Sequence, residues 1–399
     1  MTDRVNNNDR DTRLPFLGVA FAFLIAMLGT TLPTPLYPLY QQRLGLSELT
    51  ITIIFAAYAV GVIGALLTMG SWSDQLGRRR MLLAGLALSA ASALVFLFST
   101  TLTGLVIGRV LSGLSAGIFT GTATVAVVEL APKPWKSTAT LIATAVNMIG
   151  LGLGPLTAGV LAEYAPWPVR LPFVVDLVLL IPAALGVWLA PETVERPDQP
   201  RLRLQRLSVP TEVRSVFVPA AIAGFAGFAV MGFFTATAPA FVGRVLHHTN
   251  GALIGLVVLC LFVASALGQR LQSSLGERLR MPLGCALLAL GVVLIGASIA
   301  FASLALLILG ALIAGLGQGV TFRAGMGAIT TASPAARRAE VASTFFVVLY
   351  VAISLPVVGI GVVADLIGLR SAGIIFAALV AALALIALGL LLRRQDKAS

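Results

Sequence analysis

Twelve apolar runs, each about 20 residues long, constrain what this 399-residue chain can fold into. They fall at 14–36, 47–69, 81–99, 103–127, 138–161, 169–190, 216–241, 251–271, 281–300, 304–328, 341–363 and 371–392. A run of that length with few charges crosses the hydrocarbon of a bilayer as a helix, whereas a buried strand is only four to eight residues long. Only 11% of the chain is charged, under half the share of an ordinary soluble domain. Too little polar surface is left to cover a globule in water. A secreted disulfide scaffold, a collagen-like chain and a disordered tail are excluded on the same ground. The first run follows a polar segment, Met1–Arg13, and lacks a small-residue cleavage site after it. It is therefore expected to be a retained helix rather than a signal peptide.

The formal net charge of +11 would point to nucleic acid in a soluble protein. Here position decides. With the amino terminus placed in the cytoplasm, 21 of the 27 lysines and arginines fall on the inner side, in groups such as Arg78–Arg80 and Arg196–Arg214. Arg43, Arg170, Arg244 and Arg370 fall on the outer side. That asymmetry is the positive-inside pattern. It gives a multi-pass protein of the cell (inner) membrane with both termini cytoplasmic, and no nucleic-acid partner is expected. Two arginines, Arg109 and Arg323, remain inside apolar runs.

The longest polar stretch, 191–215, divides the runs into two sets of six, and the sets are related. A shift of 202 residues lays Gly113-Leu-Ser-Ala-Gly117 on Gly315-Leu-Gly-Gln-Gly319, Pro132 on Pro334, Gly159 on Gly361 and Glu163 on Asp365. Two six-helix halves related by an axis along the membrane normal are the plan of a secondary transporter. The expected organisation is a tail at 1–13, a bundle at 14–190, a cytoplasmic loop at 191–215, a second bundle at 216–392 and a tail at 393–399. Two cysteines and two histidines provide no metal-ligand cluster, and there is no phosphate-binding glycine loop. No cofactor and no catalytic centre are expected. His247 and His248 fall in an outer loop, and Cys260 and Cys285 read as small apolar residues.

The loop after the second run reads Gly70-Ser-Trp-Ser-Asp74-Gln-Leu-Gly77-Arg78-Arg79-Arg80. It resembles the signature loop of the major facilitator superfamily: a glycine, an acid four residues on, then Gly-Arg-Arg. The resemblance implies a latch between the two halves at the cytoplasmic face, carried by Gly70, Asp74, Gly77, Arg78 and Arg79. Independently, Asp74 suits a helix N-terminus and the arginines suit anionic headgroups. The second half keeps Gly276 and Arg278 but has Ser273 in place of the acid.

The fourth run carries Arg109-Val-Leu-Ser112-Gly113, similar to the family's Arg-x-x-x-Gly pattern. A charge at that depth costs about 2.5–3.5 kcal/mol on insertion scales, so Arg109 needs a partner or a wet cavity. Asp176, in the sixth run, is the acid at similar depth and the expected partner. Glu129, near the inner end of the fourth run, is the second candidate for proton coupling. The fifth run reads Gly150-Leu-Gly-Leu-Gly154-Pro155-Leu-Thr-Ala-Gly159 and resembles the glycine–proline motif of the superfamily's drug/proton antiporters. Its glycines form a smooth ridge for close helix contact, and Pro155 removes one backbone hydrogen bond. The first run ends with Pro33 and Pro35, similar to twelve-helix drug exporters, but holds none of the acids that recognise cationic drugs. Residues expected to line a cavity are Thr30, Thr31, Ser112, Phe228, Phe234, Gln318 and Arg323.

The expected fold is an all-α membrane protein with twelve transmembrane helices in two pseudo-symmetric six-helix bundles, the major facilitator fold. The resemblance implies secondary active transport by alternating access: proton-coupled export of a small drug-like or metabolite molecule by a monomer, in contact with substrate, protons and lipid. Import of a nutrient by symport or facilitated diffusion is the alternative within transport. A transport-dead receptor or scaffold is the alternative outside it.

Overall fold

The computed structural model describes residues 3–69, 72–195, 197, 199 and 204–396, with the side chains of 3–12, 395 and 396 left aside. Gly70 of the signature loop lies outside the described residues, as do Arg196, Arg201, Arg203 and Lys397 of the basic groups.

Twelve helices are long and apolar enough to cross a membrane. They are α1 (Asp3–Thr31), α2 (Glu48–Met69), α3 (Arg78–Phe98), α4 (Leu102–Leu130), α5 (Ala139–Tyr164) and α6 (Leu171–Leu189) in the first half. The second half holds α7 (Thr211–Ala236), α8 (Gly251–Leu271), α9 (Glu277–Phe301), α10 (Leu304–Ala332), α11 (Arg338–Ile367) and α12 (Leu369–Asp396). Among the described residues there is no strand. Each helix overlays one predicted run, for the reason used to predict it: hydrocarbon forces every backbone group into an internal hydrogen bond. The first and seventh runs are the exceptions: the seventh breaks at Thr237, after α7, and goes on as short helical turns through Val245. In the first, Pro33 and Pro35 lack the N–H that a continuing helix needs, so α1 ends at Thr31 and the chain resumes as a short helix, Tyr37–Leu44, with Pro38 in its first turn. At its other end, α1 begins at Asp3, inside the segment read as a tail.

The internal repeat is built from glycine contacts. Gly113 and Gly117 of α4 lie against Tyr58–Gly61 and Val62–Ala65 of α2. Their counterparts Gly315 and Gly319 of α10 lie against Leu261–Ala264 and Ser265–Gln269 of α8. The same rule joins the halves: Gly159 of α5 meets Gly251 of α8, and Gly361 of α11 meets Leu49 and Thr52 of α2. A side chain at any of these positions would strike backbone or a packed side chain, so small residues set the helix spacing.

The two faces of the bundle differ. One, the basic face, carries Arg78–Arg80 and the end of α12. There Pro219 strands the carbonyl of Ser215, and Arg394 Nη1 donates to it at 2.6 Å. The other face is shut by contacts between the halves, described next.

Candidate functional site: a cleft between the halves

A cleft lies between the two bundles near the middle of the helices. Its walls come from Met27, Thr30 and Thr31 (α1), Phe55 and Tyr58 (α2), Arg109 and Thr120 (α4), and Asn147 and Leu151 (α5). The second half adds Phe228 and Thr235 (α7), Phe262 (α8), Phe322 (α10), and Phe346 and Tyr350 (α11). Toward the basic face, Gly121 of α4 and Gly327 of α10 have open space beside them.

Arg109 is the one formally charged residue in that lining, although only 2% exposed. Its Nη1 donates to the Thr30 carbonyl at 2.6 Å. Its guanidinium carbon lies 4.7 Å from the Tyr58 ring centroid and 5.3 Å from that of Phe55. Its Nε has no hydrogen-bond partner. A carbonyl and two ring faces are what offset the cost of the buried cation.

Asp176 does not form the expected ion pair with Arg109. It is equally buried, at 2%, but packs behind α1, where a methyl group at Gly29 would sit 2.9 Å from its Oδ2. Its Oδ1 has no hydrogen-bond partner. The two charges therefore touch adjacent residues of α1, Gly29 and Thr30, with that helix between them. Depth along a helix is legible in a sequence; which side of a third helix a group occupies is not.

Glu129, grouped in the sequence with the coupling charges, belongs to the signature loop instead. Arg78 meets Asp74 at 2.6 Å and Glu129 at 3.3 Å. Glu129 also accepts from Thr193 at 2.5 Å, and the Arg78 amide donates to Glu192 at 2.7 Å. Gly77, with φ at +99°, turns the chain into α3 in a conformation that favours glycine. Arg79 lies in the crevice beside Arg78 and Thr193. All these contacts are within the first half and the start of the connecting loop.

The cavity expectations divide. Thr30, Thr31 and Phe228 line the cleft. Phe234 does not: it is fully buried and packs edge-on to Phe233, 5.4 Å away, inside the second bundle. Gln318 stands behind the wall, accepting from Ser265 at 2.5 Å. Ser112 is buried with its hydroxyl unpartnered and is absent from the lining. Arg323 follows Phe322 toward the basic face, half-buried. Tyr58, Tyr350 and Asn147 were missed, although a signal was present: each is a polar residue alone in the middle of an apolar run. Tyr58 and Tyr350 meet across the halves with ring centroids 6.3 Å apart.

The α5 motif sits at the joint. Gly150 and Gly154 face α1, while Gly152, Pro155 and Gly159 face α8 of the other half. Because Pro155 has no N–H, the carbonyl of Leu151 is left without its helical partner. Thr31 Oγ1 supplies one at 2.8 Å. Gly154 is what lets that hydroxyl in, since a methyl there would overlap it.

The face opposite the basic one is closed by two matching latches. Glu163 at the end of α5 accepts from the amide of Gly251, the first residue of α8, at 2.9 Å. Asp365 at the end of α11 accepts from the amides of Glu48 and Leu49, the first residues of α2, at 3.1 and 3.4 Å. These are the acids that the 202-residue shift superimposes. Each sits where a helix N-terminus attracts negative charge. Arg244 adds an ion pair to Glu48 and a bond to Gln41 at 2.9 Å.

Comparisons with known proteins agree with this architecture. Residues 19–297, more than half of the chain, match the family model of the Major Facilitator Superfamily. Over 157 residues the chain is 31% identical to the "Putative multidrug resistance protein MdtD" of Salmonella typhimurium, covering 39% of this chain and 33% of that one. The protein of the same name from Enterobacter sp. (strain 638) is 29% identical over 192 residues, covering 48% and 40%. The matches thus span a third to two-fifths of these relatives' length. A bacterial homolog of the human lysosomal transporter Spinster, crystallised inward-facing and unoccupied, superimposes with a TM-score of 0.75 at 14% identity, covering 96% of this chain and 98% of that one. The human organic anion transporter MFSD10 does so with a TM-score of 0.67 at 17% identity, covering 95% and 99%. At those identities the likeness is one of fold. The chain belongs to the major facilitator superfamily and has the twelve-helix build of a multi-pass membrane protein.

Proposed function

We propose that this transporter exports a small organic, drug-like or metabolite molecule in exchange for protons, by rocking two rigid bundles about the cleft. The basic face is cytoplasmic on this reading, both termini lie there, and the protein works as a monomer in the cell membrane. The observation that carries the proposal is the α5 motif. Its antiporter-like glycines and proline touch α1 on one side and α8 of the other half on the other, where a rocking motion needs a smooth seam. Similarity to relatives named for multidrug resistance supports export.

Arg109 and Asp176 are assigned to coupling. They act through α1 rather than by a direct pair, because Arg109 bonds Thr30 and Asp176 packs against the adjacent Gly29. The signature loop closes the cytoplasmic face in the other half of the cycle; here its ionic contacts are satisfied within the first bundle.

Inside-out vesicles with an acidified lumen test this. They should accumulate substrate, and an uncoupler should abolish the accumulation. Accumulation indifferent to the imposed gradient contradicts proton coupling.

A further inference from the structure

We propose that the cleft selects a flat aromatic organic acid, bound as its anion with the acid group at Arg109. This rests on the export reading and names the substrate class for it.

Three observations carry the assignment. The first is the charge of the lining: among the described residues Arg109 is the formally charged group in it, and none of the lining residues is a carboxylate. The two acids that could have offered a negative end are both turned elsewhere. Asp176 packs behind α1 at Gly29, and Glu129 is held by Arg78 and Thr193. The second is that Arg109 has bonding capacity left. One Nη1 proton goes to the Thr30 carbonyl, while Nε is buried and without a partner. A buried, unmatched N–H is costly, and a carboxylate, which forms short charge-assisted bonds with a guanidinium, removes that cost. The third is the facing wall. Phe228, Phe322 and Phe346 stand in a row from α7, α10 and α11, with centroids 5.6 and 6.3 Å apart. Their planes are tilted by 52° and 59° to one another, so the wall offers ring edges and faces together, against which an aromatic body packs edge-on or offset.

Aromatic rings also attract cations, so the opposite sign of substrate must be weighed. The two rings nearest the polar end, Phe55 and Tyr58, already have the Arg109 guanidinium over their faces. A cationic ligand would meet that charge without a counter-ion in the lining. An anion is therefore favoured at the Arg109 end of the cleft.

The test uses three probes of one shape and different charge: 1-naphthoate, 1-naphthamide and 1-naphthylmethylammonium, measured by equilibrium dialysis with the purified full chain in detergent. The expected order is naphthoate first, at least tenfold tighter than the ammonium, with the amide between. Arg109→Gln should remove the preference while leaving amide binding within a few-fold, and Arg109→Lys should retain part of it. If Arg109→Gln does not fold, the order in the unaltered protein still decides. Ammonium binding equal to or tighter than naphthoate, or saturable binding of none of the three, overturns the assignment. A protein that shows the predicted order yet accumulates nothing in vesicles contradicts the export reading and leaves the substrate class standing.

Discussion

At the scale of single residues, the chain repeatedly leaves a backbone or charged group unmatched and then supplies its partner from another helix. Pro155 strands the carbonyl of Leu151, and Thr31 satisfies it. Thr31→Val keeps the shape and removes the donor. It should lower stability by about 1–3 kcal/mol, the cost of a polar group left bare in an apolar setting, read as a fall in the thermal midpoint of the detergent-solubilised protein. In a Pro155→Ala background the helix regains its own N–H donor, so the same Thr31→Val change should cost little. An equal loss in both backgrounds would separate Thr31 from the proline. Arg109 follows the same logic, with one carbonyl and two rings in place of an acid. The sequence marks Arg109 as a residue needing company and leaves the company's identity open. Asp176 was the expected partner, and the backbone of α1 stands in its place.

At the scale of helices, spacing is set by glycine, and closure is set by acids at helix ends. Gly159 meets the backbone of Gly251, which has no flexible end to give way. Gly159→Val should therefore hold α5 and α8 apart and prevent that face from closing. Cross-linking of cysteines placed at the ends of α5 and α8 should become slower. The latches invite a gentler change. Glu163→Gln and Asp365→Asn keep size and remove charge, and a carboxylate at an exposed helix N-terminus contributes about 0.3–1 kcal/mol. The two contacts share no residue, so their effects should add. In a background without native cysteines, Thr235→Cys in the cleft should react several-fold faster with an impermeant thiol reagent from that face in the double variant. An unchanged rate would show that the latches do not hold the face shut.

The same scale shows what the sequence makes legible. Spans, the 202-residue repeat and the glycine seams follow from hydrocarbon length and backbone approach, both written along the chain. The azimuth of a side chain is different. A membrane helix that is apolar all round carries no stripe to say which side faces lipid, core or cleft. Phe228 and Phe234 looked alike for that reason, yet one lines the cleft and the other fills the second bundle. Glu129 was placed at the right depth, but its partner comes from a loop 51 residues earlier. Asn147 and Tyr350 could have been found by asking which polar residues interrupt otherwise apolar runs.

At the scale of the whole molecule, the closed face, the cleft and the basic face are, on the proposed reading, one state of an alternating cycle. Among the described residues, the halves meet at the middle, where Tyr58 faces Tyr350, and at the face closed by Glu163 and Asp365. The signature-loop ion pairs of Arg78 with Asp74 and with Glu129 lie within the first bundle. On this account the movement of substrate and the return of protons are one event. The most direct test is the pH of the lumen of inside-out vesicles during transport. With an acid lumen and no other driving force, adding an exported substrate outside should make the lumen more alkaline as protons leave, and Asp176→Asn should remove that response. Substrate accumulation with no change in lumenal pH would contradict proton exchange.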